Sequence, residues 1–253
     1  MEHKYYPPTP LSFFPTDRFS VSLNATRGTG EVRNAGDYEK MSGRNGEPSP
    51  GAAALLATLR SEGIRSASVL RALYEVPRDH FVPAERRRAA WDNRPLPIGE
   101  GQTISQPFTV AFMMQLADVS AGQRVLEVGT GSGYAAALLA HAVASPRSVV
   151  TIETNAVLYR YASERLRSGD LDDVTVIHGD GRRGWADRAP YDVIIVSAQG
   201  TEVPAALKGQ LAPGGRLVMP VDIGTHAVMT RVQRTPDGFH EERSGFFQFV
   251  PLV

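Results

Sequence analysis

A glycine-rich loop lies in the middle of the sequence, between a short β-rich run and an alanine-rich stretch. Glycine permits a tight turn and close approach to a ligand, and a following helix would present free N–H groups. The GxGxG spacing differs from the GxGxxG of dinucleotide-binding enzymes. A carboxylate just before the loop would repel a pyrophosphate but attract an ammonium or sulfonium group. This segment therefore predicts an S-adenosylmethionine site rather than an NAD site, although turns alone also use glycine. The expected cofactor contacts here are Glu127, Gly129, Thr130, Gly131, Ser132, Gly133 and Tyr134.

Two further acids follow the next two predicted strands. Glu153 stands 20 residues beyond Gly133, where one carboxylate could accept from both hydroxyls of a ribose. Asp180 could accept from an adenine amino group, and Gly181 would leave room for the ring. The alternatives are a surface acid that caps a helix and a plain Asp-Gly turn. Suitable groups at three successive strand ends indicate a cofactor site more specifically than any one of these groups does.

The elements that must position these groups alternate between strand and helix after Gly122. We therefore expect an α/β fold with a doubly wound, mainly parallel sheet. In such sheets, ligands bind beyond the carboxyl ends of the strands. Two last runs, 227–233 and 246–251, would form an antiparallel edge. The predicted parallel strands are 124–128, 149–152, 174–178, 191–197 and 216–221, and the helices between them are 134–143, 156–167 and 204–210.

The first half of the chain divides by composition. Residues 1–50 contain only 14 hydrophobic residues, with six Pro and five Gly, which predicts a disordered or loosely docked arm. Its aromatic cluster, from Tyr5 to Phe19, is the exception and could dock on the domain or a partner. Residues 51–121 predict helices at 52–62, 66–76, 84–91 and 107–118, with a Pro- and Gly-rich loop at 92–106. Residues 122–253 would form the cofactor-binding core.

Composition excludes several classes of protein. The 253 residues carry 27 basic and 27 acidic side chains and no Cys, which rules out disulfide scaffolds and thiol nucleophiles. Zero net charge argues against wholesale nucleic-acid binding. No apolar run approaches the roughly 18 residues of a membrane span, and no signal peptide is evident, so we expect a cytoplasmic protein. The six histidines lack metal-ligand spacing, so we expect no metal.

Several blocks carry a family resemblance. Among them are Val76-Pro77-Arg78, the Gly101-to-Ser105 block, the glycine loop, Gly179-Asp180-Gly181 and the closing Phe249-to-Leu252. From about residue 52 onward the chain resembles the protein-L-isoaspartate O-methyltransferases, which methylate isoaspartyl residues in damaged proteins. The Gly-Gln-Thr-Ile-Ser block is the most specific, because general methyltransferases lack it. The resemblance implies a Rossmann-like class I methyltransferase.

The resemblance also implies site residues. The family's active-site serine corresponds to Ser105, and its substrate loop to Gln102, Thr103, Ile104 and Gln106, and the closing Phe249 and Val250 are expected to contact the substrate. Gln199 is also an expected substrate contact, because it lies at the carboxyl end of a predicted strand. The attacking carboxylate has an ordinary pKa of about 4, so it is ionised at neutral pH and needs no general base. It needs alignment and exclusion of water. Ser105 could hold one carboxylate oxygen, or it could simply cap the helix that follows.

Because the sequence departs from the family pattern at several positions, the identity of the substrate stays undecided at this point. Gln199-Gly200, Asp222, His226-Ala227 and Gln248 replace residues that are usual in the family. One hypothesis is repair of many isoaspartyl proteins by a protein that works as a monomer. A second is methylation of one dedicated peptide, recognised by the N-terminal arm. A third is a module that binds the cofactor but has lost turnover.

Overall fold

The computed structural model of the protein describes residues 50–252. Apart from Pro50, the predicted N-terminal arm and its aromatic cluster lie outside the described residues. The division of the chain at residues 50 and 121 stays a prediction.

The first part of the described chain is mainly helical and contains one β-hairpin. Helices α1 (Pro50–Ser61) and α2 (Ala67–Glu75) are followed by two short 3-10 turns, Arg78–Phe81 and Ala84–Ala89. Strands β1 (Leu96–Gly99) and β2 (Gln102–Ile104) pair antiparallel, and helix α3 (Pro107–Leu116) follows.

Two predictions for this part are corrected. The segment 92–106, expected to be a loop, contains the β1–β2 hairpin, whose turn places Gly99, Glu100 and Gly101 at positive φ. Leu96, Ile98 and Ile104 of the hairpin are buried, and these short apolar stretches were hidden among the Pro and Gly residues. The charged helix expected at 84–91 is only a 3-10 turn.

A seven-stranded sheet forms the second part. Its strands are β3 (Val125–Val128), β4 (Val149–Glu153), β5 (Thr175–His178), β6 (Tyr191–Val196), β7 (Leu211–Asp222), β8 (Ala227–Thr235) and β9 (Gly238–Phe247), with helices α4 (Tyr134–Ala142), α5 (Ala156–Ser168) and α6 (Ala205–Gly209) between them. The order across the sheet is β5-β4-β3-β6-β7-β8-β9. The first five strands in that order are mutually parallel, β8 is antiparallel to β7 and β9 is antiparallel to β8, which confirms the predicted fold class.

The last strand differs from its prediction. We expected residues 246–251, but β9 is Gly238–Phe247 and follows β8 after a two-residue turn at Pro236-Asp237. Most side chains of β9 are exposed, so the strand lacks the apolar alternation that marks a strand in a sequence. Residues beyond β9 instead cross to the end of β6, where Pro251 forms a parallel bridge with Gln199.

The chain reverses its direction of travel across the sheet at β3. It runs outward through β4 and β5 and then returns to place β6 on the other side of β3. This is the topological switch point at which doubly wound sheets bind ligands. Strands β3 and β4 are buried along their whole length, so a polar side chain within them needs a partner. Within residues 50–252, no helix is long and apolar enough to cross a membrane.

Candidate functional site

A cavity lies at the switch point, beyond the carboxyl ends of β3, β4 and β6. The glycine loop after β3, the β2 strand and the last residues of the chain contribute to its wall. The predicted site residues that line it are Gln102, Thr103, Ile104, Ser105, Glu127, Gly129, Thr130, Gly131, Ser132, Tyr134, Glu153, Gly181 and Val250.

Five predicted site residues do not line this cavity: Gln106, Gly133, Asp180, Gln199 and Phe249. Other residues line it without having been predicted, notably Ser197 and Ala198, which directly follow β6. The rule that ligands bind beyond carboxyl ends could have found these two. No sequence pattern marks the apolar lining residues as part of a site, because in the sequence they look like ordinary core residues.

The glycine loop is shaped by backbone requirements. Gly131 has a φ of 55° and lies close to the hairpin, since a Cβ there would sit 3.8 Å from Ile98 Cδ1. Gly133 has a φ of 86° and precedes α4, and a Cβ there would lie 3.3 Å from Leu166 Cγ of α5. Gly133 therefore serves helix packing, whereas Gly131 faces the cavity.

Glu127 is a fully buried acid in β3. Its Oε2 accepts a hydrogen bond of 2.6 Å from Thr151 Oγ1, and the Thr130 and Thr151 hydroxyls are also 2.6 Å apart. Its Oε1 is buried and has no hydrogen-bond partner within residues 50–252. Burial raises the pKa of Glu127 to about 8, opposed by the Thr151 hydrogen bond and assisted by the nearby charge of Glu153. Because Glu127 lines the cavity, this oxygen without a partner suits a cationic ligand group.

Glu153 ends β4 and holds the glycine loop. Its Oε2 accepts from the backbone N of Gly131 at 2.8 Å, and its Oε1 accepts from the backbone N of Asn155 at 2.9 Å. Each carboxylate oxygen has a second lone pair, so both can still accept from a ligand hydroxyl. Asn155 in turn caps α5 with its side chain.

Asp180 and Gly181 follow β5. The Asp180 carboxylate accepts from the side chain of Arg182 at 2.9 and 3.0 Å and from its backbone N at 3.0 Å. These bonds, the side-chain ones first, lower the pKa of Asp180. Its predicted contact with adenine stays a prediction. Gly181 lines the cavity, and a Cβ there would lie only 2.3 Å from Val128 Cγ1.

Ser105 joins the hairpin to α3 and lies on the cavity wall. Helix α3 starts at Pro107, its N-cap is Gln106, and no side chain caps it by a hydrogen bond. The alternative role of Ser105 as a helix cap therefore receives no support. Gln106 does not line the cavity, and its Nε2 donates to the carbonyl of Asn93 at 3.0 Å.

Gln199 does not line the cavity itself, but it binds the C-terminal segment, which does. Its backbone N donates to Val250 O at 2.8 Å, its backbone O accepts from Leu252 N at 2.7 Å, and its Oε1 accepts from Phe249 N at 3.4 Å. These bonds place Val250, Pro251 and Leu252 against the cavity.

Within residues 50–252, no three His, Asp or Glu side chains are grouped to hold a metal ion.

Solved structures resemble this chain over most of the described residues. One described as a protein-L-isoaspartate O-methyltransferase is 26% identical, with a TM-score of 0.73, and the match covers 79% of this chain and 65% of that one. Another, described as such an enzyme of Plasmodium falciparum in complex with S-adenosyl-L-homocysteine, is 23% identical with a TM-score of 0.70, covering 79% and 97%. This chain thus spans about two thirds of the first structure's length.

A family model gives the more specific result. The model of protein-L-isoaspartate(D-aspartate) O-methyltransferases matches residues 51–253, far more than half of the chain. The chain therefore belongs to the protein-L-isoaspartate(D-aspartate) O-methyltransferase family, which confirms the family predicted from the sequence.

Proposed function

We propose that this protein transfers a methyl group from S-adenosylmethionine to the free carboxylate of L-isoaspartyl residues in proteins and peptides. One observation carries the proposal: Ser105 lines the same cavity as Glu127 and Glu153. A substrate-aligning hydroxyl and two cofactor-binding acids thus share one space.

The residues of the cavity fit the cofactor. The unpartnered Oε1 of Glu127 would accept from the ammonium of the methionyl part. The remaining lone pairs of Glu153 would accept from the ribose hydroxyls. Gly181, which has no side chain beside Val128, would leave room for the adenine ring.

For the methyl transfer, this chain has to align the substrate with the cofactor and do little else. When bound, the cofactor supplies a methyl group on a positively charged sulfur. The substrate carboxylate is already ionised at neutral pH, so no side chain must remove a proton. The Ser105 hydroxyl would donate to one carboxylate oxygen and aim the other. The apolar residues Val110, Ile104 and Val250 on the same wall would help to exclude water.

A pair of peptides tests the proposal. A hexapeptide with one L-isoaspartate and its normal-aspartate twin are incubated with the protein and methyl-labelled S-adenosylmethionine. Base-labile label on the isoaspartyl peptide alone is the expected result. Label on neither peptide, with the cofactor still bound, would contradict the proposed substrate and favour a dedicated peptide substrate.

The wider role we propose is repair of many damaged proteins through the methyl ester and its succinimide. A dedicated peptide substrate is the competing role, because residues 1–50 are outside the common family core. Deleting residues 1–50 separates the two roles. Activity on the hexapeptide should survive the deletion if the role is repair, whereas methylation of a dedicated partner that the arm recognises should be lost.

We also propose that the protein acts as a monomer in the cytoplasm on protein substrates and does not bind nucleic acid. Sedimentation velocity and cell fractionation test the first two statements. A filter-binding assay with DNA and RNA at low salt tests the third, because electrostatic binding would be strongest there.

A further inference from the structure

Arg78 is a buried cation that the proposed chemistry does not use. It begins the 3-10 turn after α2, and its exposed fraction is 0%. Burial lowers the pKa of Arg78 to about 10, so the guanidinium still carries its charge at neutral pH. A buried charge is costly unless it is well bonded, so its partners are informative.

The partners of Arg78 are main-chain carbonyls from two separate segments. Nη1 donates to the carbonyls of Ala90 and, at 3.4 Å, Asp92. Nη2 donates to the carbonyls of Arg94, at 3.2 Å, and Ser105, at 2.9 Å. The guanidinium therefore joins the stretch before the hairpin to the stretch after it.

A second contact links Arg78 to the cofactor side of the cavity. Its Cζ lies 5.8 Å from the ring centroid of Tyr134, the buried residue that begins α4 directly after the glycine loop. Tyr134 and Ser105 both line the cavity. One cation thus contacts the backbone of the proposed substrate-aligning residue and a ring on the cofactor wall.

Only arginine has the geometry for this arrangement. Its planar fork presents several N–H groups in fixed directions, whereas a lysine ammonium is a compact point charge that cannot reach both segments in the same way. Carbonyl oxygens on the two sides of the hairpin are held at fixed separation by that fork. The backbone of Ser105 is one of the points held.

We propose that Arg78 is a positioning residue for Ser105: it holds the Ser105 backbone, and so the hydroxyl, in the place from which it meets the substrate carboxylate. This inference rests on the proposed function for its catalytic consequence. Misplacing a substrate-positioning group by about 1 Å can cost on the order of 100-fold in rate.

The test compares Arg78→Met, Arg78→Lys and a matched control, Arg234→Met. Arg234 also donates to a main-chain carbonyl, that of Leu211 at the start of β7, away from the cavity. Turnover of the isoaspartyl hexapeptide is divided by the number of S-adenosylhomocysteine sites measured by calorimetry. This removes any loss that comes only from unfolded molecules.

We expect turnover per site to fall at least about tenfold in both Arg78 variants and to change little in Arg234→Met. Arg78→Lys should recover part of any lost melting temperature but not the turnover, because it restores the charge without the fork. Wild-type turnover per site in either Arg78 variant overturns the inference. If Arg78→Met does not fold, Arg78→Lys alone decides.

Hydrogen exchange separates this inference from the proposed function. Amide exchange across residues 90–105 should speed up in the Arg78 variants and stay as in wild type in Arg234→Met. If wild type does not methylate the peptide, the proposed function fails, but the exchange rates still decide whether Arg78 holds this segment. Unchanged exchange there overturns the inference whatever the activity.

Discussion

The carboxylate of Glu153 lies 2.8 Å from the backbone N of Gly131, so the acid that ends β4 is hydrogen-bonded to the glycine loop that follows β3. The two cofactor elements are therefore parts of one structure. The second carboxylate oxygen is bonded to Asn155 N, which fixes the carboxylate between the loop and the start of α5.

Replacing Glu153 with Ala should weaken binding of S-adenosylhomocysteine by about 1–3 kcal/mol, the range for hydrogen bonds to a charged group. Two causes add, because the acceptor for the ribose and the anchor of the loop are both lost. Calorimetry measures the change. Glu202→Ala, an exposed acid near the same edge of the sheet, is the control and should bind as wild type does.

Glu127 predicts a pH dependence of stability. Burial raises its pKa in the folded protein to about 8, whereas the unfolded chain has the ordinary value of 4.5. Between these values the folded state binds more protons, so the free energy of unfolding falls as pH rises through this window toward 8. Urea unfolding of the ligand-free protein at pH 5.5 and 8.5 should show this loss, and Glu127→Gln should reduce it.

The same acid predicts the opposite trend for ligand binding. Only the ionised carboxylate attracts the ammonium group, so affinity for S-adenosylhomocysteine should rise as pH increases from 6.5 to 8.5. Glu127→Gln should bind more weakly and with a flatter pH profile. Parallel profiles for the two proteins would show that Glu127 does not meet the ammonium.

Ser105→Ala should lower turnover of the isoaspartyl hexapeptide at least about tenfold, because one oriented hydrogen-bond donor is removed. Affinity for S-adenosylhomocysteine should stay within about twofold, since the serine is proposed to meet the substrate. Ser61→Ala, at the exposed end of α1, controls for loss of a hydroxyl elsewhere. Unchanged turnover in Ser105→Ala would contradict the proposed role.

The sequence predicted the parts of the site that follow from topology. Glu127, the glycine loop and Glu153 stand at strand ends, and carboxyl ends of parallel strands share one edge, so periodicity alone brings them together. Strand β9 was misplaced because its exposed polar residues lack alternation.

Other features depend on tertiary contacts that spacing does not reveal. A local feature was missed as well, because the carboxylate of Asp180 accepts from Arg182, two residues away, and the motif does not specify that rotamer. Arg78 and Ser105 are 27 residues apart, and nothing in that interval indicates that the guanidinium bonds the serine carbonyl. Such links emerge only when the hairpin folds back over the 3-10 turn.

Gly181 predicts a steric coupling with Val128. Because a Cβ at Gly181 would lie 2.3 Å from Val128 Cγ1, Gly181→Ala must displace the buried valine or the loop after β5. We expect a loss of about 1–3 kcal/mol in the free energy of unfolding, as for overpacked cores. Chemical denaturation measures it. Gly209→Ala is the matched control, since a Cβ there meets nothing within 4 Å, and it should not destabilise the protein.

Adding Val128→Ala should relieve that clash. The double variant should be more stable than the sum of the two single changes predicts, by about 1 kcal/mol or more, because the alanine at 181 then fills space that the valine methyls leave. Both residues line the cavity, so Gly181→Ala should also weaken binding of S-adenosylhomocysteine, and Val128→Ala should restore part of it. Simple additivity in both stability and binding would mean that the loop, rather than the valine, moves to accommodate the new methyl group.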